Sequence, residues 1–142
     1  MYLVDTSLWI QALRPRGNKS IQEKLRPLIL AGSAYITEWI ILELMTGIKS
    51  GEEQKKLEAF LAPLPHLTIE TSCWKIACDL AVTLRKKGIT PSAADSLIAA
   101  IAIKNEMSLL HVDQDFSGMA QHTKLKEVSW IEYLKKDNLS TE

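Results

Sequence analysis

Hydrophobic and polar positions switch period repeatedly along this chain. At the start, Tyr2, Leu3 and Val4 run together and stop at an acid, Asp5. A short continuous run of this kind predicts a strand covered on both faces. Leu8, Trp9, Ile10 and Leu13 then fall at helical spacing and predict a short helix, and Pro15-Arg16-Gly17-Asn18 reads as a turn. Residues 20–30 follow as an amphipathic helix ending at Gly32. Ala34-Tyr35-Ile36 is a second strand, and Thr37 caps a helix whose apolar stripe is Ile40, Ile41, Leu44 and Ile48. Gly51 is expected to break the chain before a helix at 52–61, which Pro63 and Pro65 end.

Leu67-Thr68-Ile69 predicts a third strand, and Ser72 caps a long helix running to Lys87 and closed by Gly88. The stretch TPSAADSLIAAIA, residues 90–102, opens a helix that reaches about Glu106 and is apolar almost throughout except for Asp95. Leu109-Leu110-His111-Val112 is a fourth strand, again followed by an acid, Asp113, and Val128-Ser129-Trp130 a fifth. Short apolar strands alternating with helices predict an α/β fold: three layers, α/β/α, around a short, mainly parallel sheet. Residues 1–134 are expected to form one domain and 135–142 a polar, frayed tail.

Composition adds little. The chain has 142 residues, 46% of them hydrophobic, and its 17 basic and 17 acidic residues balance. Net charge points to no partner, although local patches can still bind nucleic acid. The two cysteines, Cys73 and Cys78, form no disulfide framework and are expected to be reduced and buried, as in a cytoplasmic protein. The most apolar stretch, 28–48, carries Glu38 and Glu43, so no membrane span is expected.

The acids change the picture. In parallel α/β sheets, sites form beyond the carboxyl ends of the strands, near helix N-termini. Asp5 follows strand one, Asp113 follows strand four with Asp115 two residues on, Asp95 opens a helix, and Glu43 sits inside the helix after strand two. Each has an ordinary use. Asp5 can cap the helix that follows it, Asp95 can complete a capping box with Ser92, Glu43 can be a solvated helix residue, and Asp113 and Asp115 can be turn acids. Those uses leave the shared location unexplained. Two like charges about 4 Å apart cost roughly 1 kcal/mol in water and about 4 kcal/mol at an effective dielectric of 20. An all-oxygen cluster therefore calls for a cation, and without thiolate or imidazole it suits Mg²⁺ or Mn²⁺ rather than zinc. Ser7 and Ser96 lack an evident histidine base, and His66, His111 and His122 show no ligand spacing.

The segments YLVDTSLWI, ITEWIILELMTGI, AADSLIAAIA and LLHVDQDFSGMA together resemble the PIN-domain nucleases, and more narrowly the VapC-type toxins of toxin–antitoxin pairs. The resemblance spans nearly the whole chain. It implies a metal-dependent endoribonuclease with Asp5, Glu43, Asp95 and Asp113 as catalytic acids. Asp5 and Asp95 would hold the principal Mg²⁺ or Mn²⁺ ion, with Glu43 and Asp113, or Asp115, completing its surroundings through water or holding a second ion. Thr6 is placed to contact a phosphate or to hold a ligand. Many relatives carry threonine or serine two residues before the late aspartate; here that residue is His111.

Arg14, Arg16, Lys19 and Lys49 are candidate contacts to RNA phosphates; 85–87 is a further candidate that reads more readily as a solvated helix end, and Trp9 and Trp39 are candidates for stacking on bases that read more readily as core residues. The resemblance also implies a homodimer and a small antitoxin whose tail lays a basic side chain among the acids. Alternatives remain: a housekeeping RNA-processing PIN domain, a non-catalytic carboxylate-rich binding module, or a phosphatase or receiver domain. The last lacks Asp-x-Asp after strand one and a clear catalytic lysine.

Overall fold

The computed structural model describes residues 1–134. Strand β1 (Tyr2–Val4) passes directly into α1 (Thr6–Leu13), and α2 (Lys19–Leu30) leads to β2 (Ala34–Thr37). Helices α3 (Glu38–Met45) and α4 (Gly51–Leu61), strand β3 (His66–Leu67) and helices α5 (Ser72–Lys86) and α6 (Ala93–Lys104) follow. The described chain closes with β4 (Ser108–His111), α7 (Gln114–Ala120) and β5 (Glu127–Ser129). All strand pairs are parallel, in the order β3-β2-β1-β4-β5, with Val4 opposite Leu110 and His111 opposite Ser129. This is the expected α/β arrangement of a five-stranded parallel sheet flanked by helices.

The strand order places the site. From β1 the chain moves one way to β2 and β3, then returns to the other side of β1 for β4 and β5. The order therefore reverses between β1 and β4, and at such a switch point the two neighbouring loops part and leave a crevice at the strands' carboxyl ends. Asp5 and Asp113 follow those two strands.

Leu3, Val4, Ile36, Leu109 and Leu110 are buried, as strands covered on both faces require. Helix α6 packs against α5 and β4, and its residues 96–102 are all buried. A helix enclosed on every side needs no polar face, which explains a sequence that is apolar all round after Asp95. The α1–α2 turn closes on Gly17: a Cβ there would stand 2.5 Å from Gln22 Nε2 and 2.8 Å from the carbonyl oxygens of Ala12 and Gln11.

Several local expectations are corrected. Ser50 caps α4 by accepting from the Glu53 N–H, so Gly51 starts that helix instead of breaking the chain. Thr37 occupies the N-cap of α3, but its hydroxyl donates to the Leu67 carbonyl at 3.0 Å, stapling β2 to β3. Ile48 lies beyond the end of α3, and β3 is shorter than its apolar run suggests. Ser72 is the first residue of α5 rather than its cap, which is Thr71. The chain from Gln114 to Ala120, for which no element is expected beyond Asp115 as a turn acid, forms helix α7. Cys73 is buried as expected, but Cys78 is exposed. The tail expected at 135–142 lies outside the described residues. Among the described residues no helix is long and apolar enough to cross a membrane.

Candidate functional site

Asp5 is the N-cap of α1: Oδ2 accepts the Ser7 N–H at 3.0 Å, and the Asp5 N–H donates to the Leu110 carbonyl at 2.9 Å. One residue thus ends β1, starts α1 and is tied to β4, which leaves Asp5 only 4% exposed at the switch point. The Val112 N–H donates to Ser7 Oγ at 3.2 Å and draws the β4–α7 connection over the same spot. Asp113 then caps α7, its Oδ1 accepting the Asp115 N–H at 2.9 Å. Asp95 stands in the first turn of α6, its N–H donating to the Ser92 cap at 3.0 Å. The capping uses anticipated for Asp5 and Ser92 are therefore real, Asp113 caps a helix where a turn acid was expected, and all three helices still aim their N-termini into one crevice. Their positive ends partly offset the clustered negative charge.

Asp95, Asp113 and Asp115 can each present one carboxylate oxygen with all three atoms within 4.8 Å of one another. Ligands on opposite sides of an octahedral Mg²⁺ ion stand about 4 Å apart, so a slight closing of these side chains would gather the triplet round one hard cation. Asp5 lies outside the triplet but close enough to act on it. Burial pushes the Asp95 carboxyl from its ordinary 3.8 up to about 6, helped by the charges of Asp113, Asp5 and Asp115. Burial likewise raises Asp5, against the pull of its Ser7 hydrogen bonds. Glu43 joins from α3, which packs against α1: its Oε1 accepts the Thr6 hydroxyl at 2.8 Å. Burial raises Glu43 too, the Thr6 bond opposes the rise, and the Asp5 charge adds to it. Asp5 is thus the electrostatic link between Glu43 and the triplet. Among the described residues no lysine or arginine pairs with any of these five acids.

Arg14, Arg16, Lys19 and Lys49 are all exposed, and none forms an ion pair among the described residues. Arg85 and Lys86 end α5 on its solvent side, where cations suit the helix terminus. Trp9 is fully buried and its indole N–H donates to the Val4 carbonyl at 3.1 Å, while Trp39 packs against the core.

Sequence reasoning missed His111 and Glu127. His111 is 0% exposed and pairs its Nε2 with Glu127 Oε2 at 2.6 Å, while its Nδ1 accepts the Asp113 N–H at 3.1 Å. A histidine two residues before the acid on a buried strand was the available signal. Its partner, Glu127, is legible only once β5 lies beside β4.

Fold and site together define a parallel α/β protein with a carboxylate centre at the switch point of its sheet. The PIN domain family model matches residues 2–121, and the chain belongs to that family. It is 31% identical over 134 residues to VapC ribonuclease Mb1587 of Mycobacterium bovis, a match covering 92% of this chain and 99% of that one. Among solved structures it is similar to FitAcB from Neisseria gonorrhoeae, with a TM-score of 0.77, 24% identity and coverage of 91% and 97% of the two chains. It is also similar to VapBC2 from Rickettsia felis bound to a promoter DNA fragment, with a TM-score of 0.76, 25% identity and coverage of 91% and 98%.

Proposed function

We propose that this chain is a Mg²⁺- or Mn²⁺-dependent endoribonuclease and the toxin of a toxin–antitoxin pair, working in the cytoplasm. The observation that carries the chemistry is the triplet of carboxylate oxygens from Asp95, Asp113 and Asp115, crowded beside Asp5 with no lysine or arginine paired to them among the described residues. The likeness to ribonuclease VapC proteins along almost the whole chain supports RNA as substrate. The likeness to toxin–antitoxin complexes supports an antitoxin partner.

Asp95, Asp113 and Asp115 would hold the ion, with Asp5 and Glu43 lining the side of the site nearest β1 and α3. When bound, the ion supplies an activated water and stabilises charge on the phosphate oxygens. Thr6 spends its hydroxyl on Glu43, which makes it a positioning residue and not a phosphate contact. Arg14, Arg16, Lys19 and Lys49 are free to meet the RNA backbone. An antitoxin arginine can neutralise the same carboxylates bidentately and so exclude metal and substrate together. The homodimer of the VapC type is part of this reading.

The test is incubation of the purified chain with total RNA. Cleavage is expected with Mg²⁺ or Mn²⁺ and none with chelator. RNA left intact at millimolar Mn²⁺ by the free protein would overturn the nuclease reading. A neighbouring reading frame that encodes no binding partner would overturn the toxin reading alone.

A further inference from the structure

His111 stands between the acid triplet, which it meets at the Asp113 N–H, and Glu127 on β5. Its strand register explains how. Leu109 lies opposite Glu127 and His111 opposite Ser129, so His111 and Glu127 are diagonal neighbours on one face of the β4–β5 pair. The imidazole is buried, rests against Phe116 with ring centroids 5.3 Å apart, and is bonded at both nitrogens. At Nδ1 the partner is the backbone N–H of Asp113, which can only donate. Nδ1 must therefore offer a lone pair, which leaves the proton on Nε2, facing Glu127. Glu127 Oε2 also lies 3.5 Å from Ser117 Oγ on α7.

The Nδ1 contact is a side chain accepting from the N–H two residues on. The next link repeats it, since Asp113 Oδ1 accepts the Asp115 N–H at 2.9 Å. His111, Asp113 and Asp115 form a tandem of two such turns. The first fixes the backbone of Asp113, and the second converts that into the spacing of the two carboxylates.

We infer that His111 is a positioning residue for the carboxylate centre, acting through the lone pair of its Nδ1 on the Asp113 N–H, with Glu127 holding the ring in the tautomer that makes this possible. The inference rests on the metal-centre reading of the triplet for its consequence, but its geometry does not. Outer partners of this kind typically change metal affinity about 10- to 100-fold when lost.

Two amides separate the ring's two nitrogens. In His111→Asn the side-chain oxygen takes the place of Nδ1 and can accept from the Asp113 N–H in an Asx turn. In His111→Gln the amide nitrogen reaches toward Glu127, but nothing accepts from Asp113. Titration calorimetry with Mn²⁺ should give His111→Asn an affinity within about threefold of the unsubstituted chain and His111→Gln one weaker by about tenfold or more. The ring ¹⁵N spectrum of the unsubstituted chain should show the neutral tautomer protonated at Nε2, and the Asp113 amide should exchange slowly with solvent. A ring protonated at Nδ1 would overturn the inference. So would a His111→Gln protein that binds Mn²⁺ normally, or an equal loss in both variants that follows an equal loss of melting temperature. Should the unsubstituted chain take up no Mn²⁺ at all, the metal-centre reading fails, and the tautomer and the Asp113 exchange rate alone decide the positioning role.

Discussion

The Thr6 hydroxyl donates to Oε1 of Glu43 at 2.8 Å, across 37 positions of sequence, and ties the first turn of α1 to the middle of α3. The bond holds one oxygen of a carboxylate that burial would otherwise leave less ionised. Thr6→Val removes the donor at nearly constant shape and should slow RNA cleavage about 5- to 10-fold, the equivalent of about 1 kcal/mol for one hydrogen bond. Thr6→Ser should keep the wild-type rate. Cleavage rates of the two variants, compared at equal melting temperature, decide the matter.

Asp5→Asn, Glu43→Gln and Asp95→Asn should each abolish most cleavage while the protein still folds. Asparagine caps a helix about as well as aspartate, so α1 keeps its start in Asp5→Asn. Asp95→Asn also removes a charge repelled by three neighbours. Without divalent metal it should therefore melt higher than the unsubstituted chain, by on the order of 1 kcal/mol in stability. An Asp95→Asn protein that cleaves RNA at the normal rate would show that Asp95 is a helix-start residue and nothing more.

The pH dependence follows from the direction of the shifts. Asp95 titrates near 3.8 when unfolded and near 6 in the fold, so between those values the folded chain binds more protons. Stability in the absence of metal should then fall as pH rises from about 4 to about 6 and level off above. Asp5 and Glu43 are raised as well and contribute with the same sign. Metal affinity should run the other way, strengthening through the same window as the proton leaves. Melting curves from pH 4 to 8, with and without Mg²⁺, test both statements; Asp95→Asn should flatten the metal-free slope.

Mg²⁺ or Mn²⁺ should raise the melting temperature and a chelator reverse the gain, because a ligand of the folded state alone stabilises by about 2.7 kcal/mol at 100 times its dissociation constant. A melting temperature indifferent to millimolar Mg²⁺ would argue strongly against the site.

Gly17→Ala places a methyl group against two backbone carbonyls and the Gln22 amide, which itself donates to the Ala12 carbonyl at 2.8 Å. The α1–α2 turn must shift, and a loss of about 1–3 kcal/mol is expected in chemical denaturation. Mn²⁺ affinity should stay near normal, since α6 and α7 carry the triplet.

What could be read in the sequence was local or topologically forced. Ser92 and Asp95 signal a helix start within four residues, and Asp5 announces itself as the first polar residue after a buried strand. The rule that sites gather at strand carboxyl ends then brought the acids together before any distance was known. Strand order was not legible, and with it the diagonal pairing of His111 and Glu127. Helix α7 escaped because Gly118 and two turn-favouring acids mask seven weakly helical residues, and the helix exists through Phe116 and Met119 packing into the core. The tight approach of Asp113 and Asp115 to Asp95 depended on that helix. Ser50 is masked as a cap by Gly51, whose usual signal is a break and not the first residue of a helix.

The burial of α6 on every side bears on how long this protein lasts. An element enclosed through residues 96–102 opens with the whole fold and not by fraying at one end. Asp95, seated at its head, cannot relieve its repulsion by a small local movement. Above about pH 6, where the proton has left, a cation or global unfolding is what relieves it. If the acids hold Mg²⁺ as proposed, magnesium starvation should therefore shorten the half-life of this chain before a protease, and a partner's arginine seated among the same acids should lengthen it.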